Sequence, residues 1–250
     1  MTLRIRTVKL LRTLGLNRIA SKIYYKHIHG FSSAGAELPE VVGRCLKRAI
    51  QKEIAEKGDY CEFGVFKGHT FLHAQMAANN LGIKNMRFLG FDSFEGLPKP
   101  EGIDACEEEH FYAGQYEWPI EAVHKALDEH GVDWNKTFLI KGYFSDSLNK
   151  KTRSKYNIES VPIALVDGDL YSSTVDSLNF MEKLIIDNSM LIMDDWGGFD
   201  ADEERGQQLA FTEFLHRNPQ WRAERWFSYG SYGQVFIMRT NDNGVKGDLS

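Results

Sequence analysis

Four aspartates carry the first chemical signal in this sequence, Asp167 and Asp169 in one short segment and Asp194 and Asp195 in another. Each pair ends a β-branched and aliphatic run, in Ser160-Val-Pro-Ile-Ala-Leu-Val166 and Ser189-Met-Leu-Ile-Met193, of the kind that forms a buried parallel strand. Between the two runs Val175, Leu178, Met181 and Leu184 recur at helical spacing, which predicts strand, crossover helix over about 173–186, and parallel strand. Ligands of open α/β sheets lie beyond the carboxyl ends of the strands, where these acids fall. Massed carboxylates repel, so a cation is implied. Hard oxygen donors with room for water and substrate suit Mg²⁺, or Mn²⁺, better than zinc. The competing role for Asp169 or Asp194 is to cap the helix or turn that follows.

The elements that must position these acids can be followed along the chain. Val41, Val42, Cys45, Leu46, Ile50 and Ile54 keep helical spacing from Pro39, and Lys57-Gly58 supplies a stop. A strand and its turn over 59–70 contain Glu62-x-Gly64-x-x-x-Gly68 and lead into a helix to about Asn80; the glycines let the backbone approach a ligand, and the helix start offers free N–H groups. This is neither G-x-G-x-x-G nor a phosphate-gripping Lys-Ser/Thr loop, so a nucleoside triphosphate is not indicated. A second strand over 86–92 ends at Asp92, about thirty residues beyond Glu62, where a carboxylate can accept both hydroxyls of an adenosine ribose. Residues 98–118 form a long acidic and aromatic loop, read as a lid or specificity element. A helix over 119–130, a third strand over 137–141 and a short polar helix before Leu148 complete the first half. After the two aspartate-ended strands come an acidic helix start at Asp200, a stop at Asn218-Pro219 and a hairpin of 225–228 with 232–239.

A chain of 250 residues without a Pro/Ser/Gly-rich linker is expected to form one α/β domain, over 39–240, with a helical extension over 1–38 and a polar tail over 241–250. The net charge of −5 and the lack of a basic stripe argue against a nucleic-acid binder. Arg4, Arg6, Lys9 and Arg12 make the start basic, but its apolar run is too broken for a secretory leader or a membrane span. A helix packed on the domain or on a dimer partner is therefore expected, with no stable membrane insertion and with a homo-oligomer as the assembly. Cys45, Cys61 and Cys106 show neither disulfide nor zinc spacing, as in a cytoplasmic protein.

The phrases Glu62-Phe-Gly-Val-Phe-Lys-Gly68, Phe91-Asp-Ser-Phe-Glu-Gly-Leu-Pro98, Gly142-Tyr-Phe-Ser-Asp-Ser-Leu148, Asp167-Gly-Asp-Leu-Tyr-Ser-Ser-Thr174 and Asp194-Asp-Trp-Gly197 together resemble the macrocin O-methyltransferase family. Its members are class I S-adenosylmethionine-dependent enzymes that methylate sugar hydroxyls of macrolide and aminocoumarin antibiotics. The resemblance runs from about residue 39 to 239. It implies a Rossmann-like, mostly parallel seven-stranded sheet with a C-terminal antiparallel hairpin. It further implies that Asp167, Asp194 and Asp195 ligate Mg²⁺ and that Asp169 is the general base. Glu62, Gly64 and Gly68 would line the methionine end of the cofactor and Asp92 its ribose, with Ser93 and Asp167 alongside, and Tyr143, Phe144 and Ser145 its adenine. The implied acceptor is a small-molecule glycoside or glycan. Catechol O-methyltransferases take the proton with a lysine just after the first aspartate; here Asp169 and Leu170 stand nearby, which favours an aliphatic sugar hydroxyl over a phenol. Segments 31–36 and 98–118 are expected to close over the ligands and exclude water.

Two other classes compete. A scaffold module on this fold has no use for the repulsion of clustered carboxylates. An NAD-dependent oxidoreductase would share the glycine turn and ribose acid but needs a Tyr/Lys or His donor. Calorimetry distinguishes the last: S-adenosylhomocysteine is expected to bind and NAD not, and tight binding of NAD alone would overturn the methyltransferase reading.

Overall fold

The protein was analysed in a computed structural model, which describes residues 37–105 and 111–241 together with Leu10. The expected N-terminal helix, the 31–36 segment, residues 106–110 of the long loop and the tail from 242 lie outside the described residues. The described chain runs α1 (Leu38–Gln51), β1 (Tyr60–Phe63), α2 (His69–Asn80), β2 (Phe88–Asp92), α3 (Ile120–Glu129), β3 (Thr137–Lys141), α4 (Phe144–Ser147), α5 (Lys150–Tyr156), β4 (Ile163–Val166), α6 (Tyr171–Met181), β5 (Met190–Met193), α7 (Gly206–Arg217), β6 (Trp221–Tyr229) and β7 (Gly233–Thr240). Seven strands form one sheet in the order β3-β2-β1-β4-β5-β7-β6. The first five are parallel and β7 runs antiparallel to both neighbours, which is the expected fold class.

Alternation along the strands builds two cores. Ile163 and Leu165 of β4 face Val42, Leu46, Phe71 and Leu127 from α1, α2 and α3, while Ala164 and Val166 face Leu178, Phe180, Phe211 and Phe214 from α6 and α7. Both faces are covered, so the central strands are apolar throughout rather than alternating. Among the described residues no helix is long and apolar enough to cross a membrane.

Several elements differ from expectation. Helix α1 stops at Gln51, because Glu53 takes a left-handed conformation (φ 56°) and the N–H groups of Ile54 and Ala55 both return to Ala49 O. The crossover helix occupies Tyr171–Met181, two residues earlier at its start and five shorter at its end than expected. The acidic run from Asp200 is not the start of α7. It is exposed and has nothing to bury, so the helix begins at Gly206, where Gln207, Ala210, Phe211 and Phe214 become buried. The hairpin is longer than expected, extending back to Trp221. In the long loop Asp104, Tyr112 and Gln115 are buried, and Leu97 exchanges backbone hydrogen bonds with Gln115 and Gly114.

Strand register sets the level of the chemistry. Phe91 pairs with Phe63, Phe63 with Val166 and Val166 with Met193. The next residue of each strand or turn, Asp92, Gly64, Asp167 and Asp194, therefore stands in one row at the carboxyl edge. The row is tight: a Cβ on Gly64, whose φ is +99°, would lie 1.8 Å from Asp167 O. Gly64→Ala is thus expected to cost about 2 kcal/mol or more through strain and the forced separation of β1 from β4. Chemical denaturation measures this, and a near-neutral result would mean the close approach is not required.

Candidate functional site

At this row of strand ends opens a cavity of about 640 Å³. It lies where the strand order reverses between β1 and β4, the topological switch point of an open sheet. Of the residues singled out in the sequence, Glu62, Gly64, Asp92, Ser93, Tyr143, Phe144, Ser145, Asp167, Asp169, Asp194 and Asp195 line it, and Gly68 does not. Gly68 instead caps α2 with φ +82° and lies against α3, where a Cβ would come within 3.0 Å of Val123. Among the described residues nine carboxylates and two lysines line the cavity, an environment for cationic groups.

The acids at the ends of β1 and β2 are tied into the fold by hydrogen bonds, those of Asp92 from the main chain. Asp92 Oδ2 accepts the N–H groups of Val65 and Phe66, both at 2.8 Å, and Oδ1 that of Phe94 at 2.6 Å. It thereby fixes the Gly64–Gly68 loop against the end of β2 while also bordering the cavity. Ser93 Oγ donates to Gly96 O at 2.7 Å and closes the following turn. Glu62, only 1% exposed, accepts from Tyr60 Oη at 2.6 Å, yet burial still pushes its carboxyl up to about 8.

All four aspartates line the cavity, and three of them converge. One carboxylate oxygen from each of Asp167, Asp194 and Asp195 lies within 4.8 Å of the others. Oxygens bound to a common ion at about 2.0–2.6 Å span such distances, so the set fits a hard divalent cation. Burial first, and then mutual repulsion, raises Asp167 and Asp195 well above the usual carboxylate range and lifts Asp169 to about 7. Burial also raises Asp194, against the hydrogen bond that Tyr229 donates to it. No lysine or arginine forms an ion pair with the cluster among the described residues.

Asp169 is not the cap of α6. The N–H groups of Tyr171 and Ser172 donate to Asp104, at 2.7 and 3.2 Å, so a buried acid of the long loop caps this helix from outside. Asp169 sits at φ +58° in a tight turn closed by Leu170 N–H to Gly168 O at 2.6 Å, and its own N–H donates to Asp195 Oδ2 at 2.9 Å. Among the described residues no donor reaches the Asp169 side chain. A strained backbone at such a position is a mark of function.

Three contributors were missed in the sequence. Asp104 has no local signal, because its partners lie 67 and 68 residues away. Gln207 accepts from Asp195 N–H at 3.1 Å and donates to Val166 O at 2.9 Å, stitching the β4 and β5 ends; a buried glutamine pair opening an apolar helix face was the available clue. Tyr229 donates to Asp194 Oδ1 at 2.8 Å and looked like an ordinary hairpin residue.

Comparison with known proteins follows this geometry. A family model described as macrocin-O-methyltransferase (TylF) matches residues 28–214. The 8-demethyl-8-(2,3-dimethoxy-alpha-L-rhamnosyl)-tetracenomycin-C 4'-O-methyltransferase of Streptomyces olivaceus is 26% identical over 157 residues, 60% of this chain and 58% of that protein. Mycinamicin III 3''-O-methyltransferase of Micromonospora griseorubida is 23% identical over 158 residues, 61% of this chain and 59% of its own. The matches thus span less than two thirds of either relative. The structure of the O-methyltransferase NovP superposes with a TM-score of 0.69 at 20% identity, over 84% of this chain and 82% of that one, a likeness of fold.

The raised carboxyls make a pH prediction. Their folded pKa values exceed the unfolded value of about 3.9, so their contribution is fully present below about pH 4 and is lost as pH rises through the folded values, which for Asp169 is about 7. In chelator, the melting temperature is expected to fall between pH 6 and pH 8, and Asp195→Asn to flatten that fall. Scanning calorimetry reads both, and a rise over this interval would mean the acids are paired with cations of the protein.

Proposed function

The chain belongs to the macrocin-O-methyltransferase family, and on that premise we propose that it transfers the methyl group of S-adenosylmethionine to a hydroxyl of a vicinal diol in a sugar, with Mg²⁺ or Mn²⁺ at the aspartate cluster. The observation that carries this is the convergence of Asp167, Asp194 and Asp195 beside an uncapping, undonated Asp169 in the switch-point cavity. The name of one curated relative supports the acceptor class, since it is a 4'-O-methyltransferase of a compound bearing a dimethoxy-rhamnosyl group, and the other is a 3''-O-methyltransferase of mycinamicin III. The acceptor here is a sugar residue of a glycoside or glycan.

Each group of the chain has a task in this reading. Glu62, Gly64, Asp92 and Ser93 receive the methionine and ribose parts of the cofactor, and Tyr143, Phe144 and Ser145 its adenine. S-adenosylmethionine supplies the electrophilic methyl on a sulfonium, whose positive charge suits the acidic wall. Asp167, Asp194 and Asp195 would hold the divalent cation. When bound, that cation supplies Lewis acidity that lowers the pKa of a coordinated hydroxyl and fixes the diol's aim. Asp169 accepts the proton of the acceptor hydroxyl on a carboxylate oxygen. The Asp104 cap ties the loop after β2 to the start of α6, next to the turn that carries Asp169.

Asp169→Asn is expected to keep S-adenosylhomocysteine and Mn²⁺ binding while turnover on an accepted glycoside falls about a hundredfold or more, without recovery in excess Mg²⁺. Near-normal turnover of the variant would remove the base assignment and bring His69, which also lines the cavity, into consideration.

A further inference from the structure

The turn of the C-terminal hairpin reaches across to the acidic cluster. Tyr229, the last residue of β6, is half-buried and donates its hydroxyl hydrogen to Asp194 Oδ1 at 2.8 Å. Its path to the cluster is built. Tyr229 pairs with Gly233 across the hairpin, and a Cβ on Gly233 would stand 2.2 Å from Tyr229 Cζ and within 2.5 Å of both Cε atoms. The ring therefore occupies the space that any side chain at 233 would need. The turn is also fastened on both flanks. Gly197 N–H, two residues past the aspartate pair, donates to Tyr232 O at 2.8 Å, and Gly230 N–H donates to Glu37 Oε2 at 2.6 Å, just ahead of α1.

Within the cluster the bonds are divided. Asp195 is held by Asp169 N–H and by Gln207, both belonging to the β4 and β5 ends or to α7 behind them. Asp194 is held from the opposite side, by the hairpin. We propose that Tyr229 is a positioning residue for the cation site, holding the Asp194 carboxylate in the orientation that lets it join Asp167 and Asp195 around one ion. This rests on the reading of the cluster as a divalent-cation site. Hydrogen bonds to metal-binding carboxylates restrict their rotation, and their loss typically lowers metal affinity 10- to 100-fold. Loss of the phenol would leave the Asp194 oxygen undonated and free to turn.

The test is Mn²⁺ titration, read from the paramagnetic resonance of free Mn²⁺, on the wild-type protein and on Asp194→Ala, Tyr229→Phe and Gly233→Ala. The wild type is expected to bind and Asp194→Ala to lose binding. Tyr229→Phe, which keeps the ring, is expected to bind about tenfold or more weakly, with its metal-free melting temperature and S-adenosylhomocysteine affinity near wild type. Its turnover is expected to fall at limiting Mg²⁺ and to recover at saturating Mg²⁺, a split that a merely structural residue would not produce. Gly233→Ala keeps the hydroxyl but displaces the ring and is expected to weaken Mn²⁺ in the same way. Wild-type Mn²⁺ affinity in folded Tyr229→Phe, or in folded Gly233→Ala, would overturn the assignment of Tyr229. Failure of the wild type itself to bind Mn²⁺ would instead overturn the cation reading and the inference with it.

Discussion

Pairing of β4 with β5 in the register Val166↔Met193 brings like charges side by side at the edge of a low-dielectric core, and much of the surrounding structure answers that constraint. Because side chains alternate along a strand, a slip of one residue would turn Asp167 or Asp194 into an apolar layer. The apolar residues just inside, Val166 and Met193, are fully buried and resist such a slip. Repulsion beyond them is met by fixed donors: the Asp169 amide, Gln207 and the Tyr229 hydroxyl. These are neutral dipoles. They orient the carboxylates without neutralising them, which leaves the net negative charge for a cation to balance.

Strain gathers at the same place. Gly64 adopts a positive φ and touches the Asp167 carbonyl, while Asp169 adopts one without being glycine. A left-handed aspartate costs of order 1 kcal/mol and persists only where its surroundings over-determine it. Here the over-determination comes from the hydrogen bond to Asp195 on one side and the externally capped α6 on the other.

The Asp104 cap also changes how the loop after β2 can be understood. A long loop over a cavity suggests a cover that is free to move. Yet Asp104 binds the first two amides of α6, and Leu97 pairs with Gln115 at the loop's base. The described part of the loop is thereby an integral support of the turn that carries Asp169. The loop after β2 and the start of α6 thus share one set of hydrogen bonds.

Periodicity and strand-ending acids sufficed to read the parallel strands, the crossover helices and the aspartates 167, 169, 194 and 195 in the sequence, because those signals are local: a buried strand must be apolar, and a charge must stop it. Phrases spanning the chain added the family resemblance. Element ends were less legible, since the stop at Gln51 and the start at Gly206 depend on which side chains find a core to enter. Glycine 68 was read as ligand-lining although only the packing of α3 reveals its need for space. Tertiary structure alone decided who holds the acids in place. Asp104, Gln207 and Tyr229 act on residues 67, 12 and 35 positions away, and hydrogen bonds over such separations leave no local pattern, being set by how the sheet, its crossover helices and the closing hairpin pack in space.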